Sequence, residues 1–191
     1  DKERIAKGEP LTIYQRLAPG RGEAQEWLRL PYNVGQLVFV DDEHFFFTVS
    51  YDDQFAGYLR TANGDTAKAL QAKAADKPYR IFEEIPFWSN GRGDVSGKRT
   101  HLYYYNKGNV TALSETYETV GGLTLSPDKQ TLLYTTNTFQ GKSPLGNHLM
   151  RMAVSTLKAE ELKPLKGDAR FGGFACLSDS EVVLTASQRF D

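Results

Sequence analysis

Gly121-Gly122-Leu123-Thr124-Leu125-Ser126-Pro127-Asp128-Lys129-Gln130-Thr131-Leu132-Leu133-Tyr134-Thr135-Thr136 reads as a strand, a tight turn and a second strand. Pro127 presets φ at the first central turn position, and Ser126 and Asp128 carry side chains that bond local backbone. The flanking runs are rich in β-branched and aromatic residues, which suit a half-buried pleated surface. The same layout recurs in 36–49, around Asp41-Asp42-Glu43, and in 173–185, around Ser178-Asp179-Ser180. With Phe39, Leu125 and Leu177 as matched positions, the units lie 86 and 52 residues apart. Those separations correspond to about two repeats and one repeat at the ~40–50-residue period of propeller blades.

Working outward, 11–17 and 25–30 alternate apolar and polar residues about Pro19-Gly20-Arg21-Gly22 and read as a hairpin with one wet face. Residues 36–40 and 44–49 form a continuous apolar pair, and 56–61 reads as a third strand beside them. The Ala/Lys/Leu-rich run 65–77, capped by Asp65 and stopped by Pro78, is a short surface helix inserted between strands. Strand character resumes at 79–85, and 100–105 and 110–113 flank a turn at Asn106-Lys107-Gly108-Asn109. The fold class is therefore all-β, a partial β-propeller of about three blades of antiparallel sheet with one short surface helix. Its parts are a half blade over 10–31, a blade with the helical insertion over 36–113, a blade over 122–157 and a half blade over 172–191.

A closed propeller needs at least ~4 blades. An open arc exposes strand edges and apolar blade faces, so the expectation is a piece of a larger propeller that self-associates through its open faces. Trp27, Leu28 and Leu30 are expected on one such face and Phe174, Val182 and Leu184 on the other.

Composition narrows the partners. Twenty-three basic against 24 acidic residues give a net charge of −1 without a basic stripe, which argues against nucleic acid. No apolar run approaches the ~20 residues that span a bilayer, so no membrane is expected. The single Cys176 excludes an internal disulfide framework and reads as a buried thiol in an apolar strand. Cytoplasmic, periplasmic and secreted settings all fit these features.

Ile85-Pro86-Phe87-Trp88-Ser89-Asn90-Gly91-Arg92-Gly93, then Lys98-Arg99-Thr100-His101-Leu102-Tyr103-Tyr104-Tyr105, then the Ser-Pro-Asp-Lys hairpin form an ordered series. That series resembles the N-terminal propeller of prolyl oligopeptidase-type serine peptidases, most closely the acylaminoacyl-peptidase and dipeptidyl-peptidase branch. The match covers 79–136 well and the rest through its periodicity. It implies a propeller that gates short peptides into a C-terminal α/β-hydrolase domain of the same protein, a serine exo- or oligopeptidase, with no cofactor. A non-enzymatic propeller that binds protein or carbohydrate is the alternative.

The chain has no Gly-x-Ser-x-Gly elbow to aim a nucleophile; Gly141-Lys142-Ser143-Pro144-Leu145-Gly146 is one residue out of pattern. No catalytic residue is therefore assigned here, and neither turnover nor labelling of Ser126 or Ser143 is expected. The dipeptidyl-peptidase branch uses a propeller glutamate pair on the substrate's N-terminus, which makes Glu83 and Glu84 candidates; adjacent strand residues face opposite ways, so a solvated blade-edge role competes. Arg92, with Asn90 and Trp88, sits in a glycine-rich loop, where a guanidinium can grip a carboxylate or acyl carbonyl. The competing reading is a turn whose glycines serve backbone geometry. His44, His101 and His148 lack metal-ligand spacing and read as surface positions.

Overall fold

A computed structural model describes residues 12–18, 21–30, 32–75, 82–165 and 167–188. Strands β1 (Thr12–Ala18) and β2 (Arg21–Leu30) form an antiparallel hairpin; Pro19 and Gly20 lie outside the described residues. The first four-stranded sheet begins with β3 (Val34–Phe39) and β4 (His44–Asp52). Helices α1 (Asp53–Thr61) and α2 (Thr66–Ala75) and the short pair β5 (Trp88–Ser89) and β6 (Gly93–Asp94) interrupt it. It resumes with β7 (Lys98–Asn106) and β8 (Asn109–Ala112), giving the order β3-β4-β7-β8. The second sheet is an uninterrupted meander of β9 (Glu118–Leu125), β10 (Thr131–Thr138), β11 (His148–Ala153) and β12 (Lys158–Leu162). A last hairpin pairs β13 (Ala169–Cys176) with β14 (Val182–Gln188). The chain is thus all-β with two short helices, and every pair of named strands is antiparallel.

Alternation along β4 explains how the layers stack. Successive strand side chains point to opposite faces, so Phe46 enters one core with Leu102, Tyr104, Val120, Leu132, Tyr134 and Met152, between the two four-stranded sheets. Phe45, Phe47 and Val49 enter another with Leu30, against which Tyr14, Trp27 and Leu28 of the first hairpin pack. Both faces of β4 are covered, hence a continuous rather than alternating apolar run. On the far side of the second sheet, Leu149 joins Ala169 and Phe171 of the last hairpin. Strand β9, at the edge of its sheet, contacts both β3 and β13.

Each inner pair carries the same irregularity. The β3–β4, β9–β10 and β13–β14 registers slip between Val34/Leu37, Tyr134/Thr135 and Phe171/Phe174. A glycine sits at each bulge because a threonine hydroxyl from the partner strand fills the space. A Cβ on Gly35, Gly121 or Gly172 would stand 2.8, 3.0 or 2.8 Å from the Oγ1 of Thr48, Thr135 or Thr185. The hydroxyls service the backbone that each bulge strands. Thr48 Oγ1 accepts the Gln36 N–H at 2.8 Å, Thr135 donates to the Gly121 carbonyl at 2.9 Å, and Thr185 accepts the Gly173 N–H at 3.0 Å.

The matched turns also interlock. Lys129 Nζ donates to the Val40 carbonyl at 2.7 Å, and the Asp128 N–H to Asp179 Oδ1 at 2.8 Å. Ser126 builds its own turn, donating to Asp128 Oδ1 at 2.5 Å and accepting the Thr131 N–H at 3.0 Å.

Several expectations need correction. Residues 56–61 belong to α1, not to a third strand; the Asp52 carboxylate caps the helix by accepting the Phe55 N–H at 3.1 Å, and β7 is the third strand. The expected helix over 65–77 appears as α2, with Asp65 accepting the Lys68 N–H at 3.0 Å; 76 and 77 lie outside the described residues. Of the strand expected at 79–85, residues 79–81 also lie outside them, and 82–84 are not strand; Ile85 makes one isolated bridge to Lys142. Of the residues expected on open end faces, Trp27, Leu28, Leu30, Phe174 and Leu184 pack onto the sheets, whereas Val182 is 37 % exposed. His101 is buried rather than superficial, stacked 4.4 Å from the Tyr51 ring, and burial pushes its pKa below the ordinary histidine value. Cys176 is half-buried, not buried.

Candidate functional site

Strands β3, β4, β9 and β10 line an open cleft of about 600 Å³ at two of the bulges. Gly35, Thr48, Gly121 and Thr135 line it from the first two sheets, Arg92 from the turn of the β5–β6 hairpin and Arg170 from β13. Both guanidiniums are exposed, and neither has an acceptor or ion-pair partner among the described residues. Among the described residues the lining contains no carboxylate. Glu118 bonds to the lining residue Thr136, accepting from its Oγ1 at 2.6 Å, and accepts the Glu115 N–H at 3.1 Å. Arranged this way, neutral hydroxyls and bent backbone surround two uncompensated positive charges, which favours an anionic or carbonyl-rich guest.

The loop that carries Arg92 is fixed from below. Arg99, with a 3 % exposed side chain, forms a two-pronged ion pair with Glu84, one prong at 3.1 Å. Its remaining N–H groups donate to the carbonyls of Tyr117 at 3.3 Å, Phe139 at 3.2 Å and Lys98 at 3.0 Å. Its guanidinium carbon stands 4.1 Å from the centroid of the Phe139 ring. Glu84 also accepts the Gly97 N–H at 2.7 Å. Burial alone would raise the Glu84 carboxyl, but the bonds from Arg99 and Gly97 with the guanidinium charge overcome it and hold the pKa below the ordinary value.

The five candidates therefore separate. Arg92 lines the cleft. Glu84 is committed to Arg99, while Glu83 is exposed. Asn90 is exposed at the hairpin turn, where Arg92 N–H donates to the Ser89 carbonyl at 3.1 Å and Gly91 and Gly93 take positive φ of 78° and 72°. Trp88 is 60 % exposed, and its ring lies over Gly93. The structure thus brings Arg92 together with Arg170, which sequence reasoning passed over. Its signal was available, since Arg170 stands two residues before the Gly172-Gly173 bulge, the counterpart of Gly121-Gly122.

Two more clefts, of about 610 and 670 Å³, share Leu145, Gly146, Gly167, Asp168 and Ala169. The first also contains the 2.7 Å His148–Glu161 pair. Among the described residues no group of three or more His, Cys, Asp or Glu is placed to hold a metal ion, and no helix is long and apolar enough to cross a membrane.

No family model and no curated protein matches the sequence. Among solved structures the chain is similar to one described as the apo form of the isopeptidase AtxE2. The likeness covers 91 % of this chain and 34 % of that one, with 11 % identity and a TM-score of 0.27. The chain thus spans about a third of that structure's length, and a likeness this slight carries no weight for fold or function.

Proposed function

We propose that this chain is the non-catalytic propeller portion of a serine peptidase, admitting short peptides to an α/β-hydrolase domain of the same protein. The observation that carries the reading is the cleft at the repeated Gly–Thr bulges, where hydroxyls, bent backbone and two unpaired guanidiniums face one space. Such a wall offers hydrogen bonds to a peptide backbone and little apolar anchorage, as a passage for varied short peptides requires. Face-to-face stacking of four antiparallel layers, with β9 beside both β3 and β13, supports successive blades around an axis. The family resemblance of 79–136 supports a peptidase partner domain.

The test is fluorophosphonate labelling of the whole protein, followed by mapping of the modified serine. The expected result is one labelled serine outside 1–191, together with turnover of acylated or dipeptidyl chromogenic substrates. A label on Ser126 or Ser143 overturns the reading. So does a whole protein that takes up no label, an outcome that favours the non-enzymatic binding propeller.

The same reading predicts self-association when 1–191 is studied alone. Leu17, Leu177 and Val183 on the terminal hairpins are 60 %, 67 % and 54 % exposed. Covering ~400 Å² of apolar surface is worth on the order of 10 kcal/mol before the costs of association. Sedimentation at high micromolar concentration should show dimers or larger species; a clean monomer that binds no hydrophobic dye contradicts the prediction.

A further inference from the structure

We infer that the cleft at the bulges is a carboxylate site, in which Arg92 and Arg170 take the C-terminal carboxylate of a short peptide. The inference rests on the peptide-admitting function proposed above and specifies which end of the guest is held. Four other arginines, Arg16, Arg29, Arg99 and Arg151, are each bonded to a carboxylate of this chain. Among the described residues Arg92 and Arg170 are not, nor is Arg60, but Arg92 and Arg170 come from separate elements and line one cleft. Each guanidinium presents forked N–H groups to the cleft's lining, and a planar carboxylate accepts such a fork.

The rest of the wall fits a peptide end rather than a bare ion. About 600 Å³ is more than one small anion fills and lies within the ~300–1,000 Å³ range of small-ligand sites. Beside the arginines, Ser50 offers a hydroxyl suited to the last peptide groups before the terminus, while both ends of the Asn147 amide are bonded to the Phe171 backbone. Glu118, next in sequence to the lining residue Thr119, has both carboxylate oxygens engaged, one by the lining residue Thr136 and the other by the Glu115 N–H.

Titration of the whole protein, after fluorophosphonate treatment to block turnover, with an N-acetylated dipeptide acid, and with the same dipeptide as its C-terminal amide, reads the site directly. The acid should bind at least tenfold more tightly than the amide, and more weakly as salt rises. Arg92→Gln and Arg170→Gln should each weaken the acid about tenfold and leave the amide unchanged. Neither side chain has a partner among the described residues, so folding should persist, which circular dichroism checks. Arg151→Gln, an equal loss of charge away from the cleft, should change nothing. Equal binding of acid and amide, or indifference to both cleft variants, overturns the inference. Acetate or inorganic phosphate binding as tightly as the dipeptide acid also overturns it, because a free anion would then be the guest. Failure here with a serine still labelled outside 1–191 removes the carboxylate site alone; absence of that label removes the peptidase reading itself.

Discussion

Phe46→Ala is expected to cost about 3–5 kcal/mol of stability, the usual range for emptying a fully buried aromatic site. Phe46 is 0 % exposed and lies between the two four-stranded sheets, its ring 4.7 Å from that of Tyr104. Neither sheet can close the void alone, because Leu132 and Tyr134 opposite are held by their own strand ladders. For a chain of this length the loss corresponds to a drop of roughly 6–20 °C in Tm. Phe39 is the control: it is 40 % exposed, and its alanine variant should lose far less. Phe45 and Phe47 separate the two cores, since they face the first hairpin rather than the second sheet. Phe46→Ala should therefore couple to Leu132→Ala in a double-mutant cycle, and Phe47→Ala should couple to it only weakly. Equal losses at Phe39 and Phe46, measured by denaturant unfolding, would contradict the two-sided burial of β4.

The three repeated strand pairs are legible in sequence because every local preference agrees there. The Phe45-Phe46-Phe47 run, the β-branched and aromatic flanks and the Ser-Pro-Asp turn all specify the same state, and the pairs recur. Agreement fails at 53–61. Phe55, Tyr58 and Leu59 have helical spacing, but Gly57 and the aromatic residues suit a strand as well. The helix is settled by the Asp52 cap and by Lys73, which reaches back from α2 to Asp52 at 3.3 Å and to the Phe55 ring at 5.5 Å. No window of sequence around 56–61 contains that contact. The site divides the same way. Arg92 is legible as a lone cation in a glycine loop, whereas the Glu84–Arg99 pair joins positions 15 apart that only the folded sheet brings together. Arg170 becomes meaningful once β13 is seen beside β9. The Gly–Thr bulge could have been found, since Gly35, Gly121 and Gly172 stand at matched places ahead of Thr48, Thr135 and Thr185.

Glu84→Ala should cost about 3–5 kcal/mol, because it strands the Arg99 guanidinium, 3 % exposed, without its counter-charge. Glu84→Gln keeps an acceptor for the Gly97 N–H and should cost less. The sign of the pH dependence follows from the lowered pKa. A carboxyl whose folded value lies below its ordinary 4.5 stabilises the fold fully above that value. That stabilisation is lost as pH falls from there through the folded value. Stability of the parent protein should therefore fall more steeply below about pH 4.5 than that of Glu84→Gln, and the two should run parallel at neutral pH. Subtracting the two curves removes Asp41, Asp65 and Asp128, whose carboxyls are also lowered but are common to both proteins. Replacing Arg99 by methionine and Glu84 by leucine together should recover only part of the loss. The carbonyls of Tyr117, Phe139 and Lys98 would lose the donors that Arg99 supplies. The pair also bears on the cleft, because Glu84 and Gly97 bracket the β5–β6 hairpin that presents Arg92. Glu84→Gln should weaken binding of the dipeptide acid although Glu84 never touches it, and hydrogen exchange at 88–94 should quicken in parallel. Faster exchange with unchanged binding would show that Arg92 does not depend on this anchor; slower loss of stability in acid for the parent than for Glu84→Gln would reverse the sign and dismiss the ion pair as a source of stability.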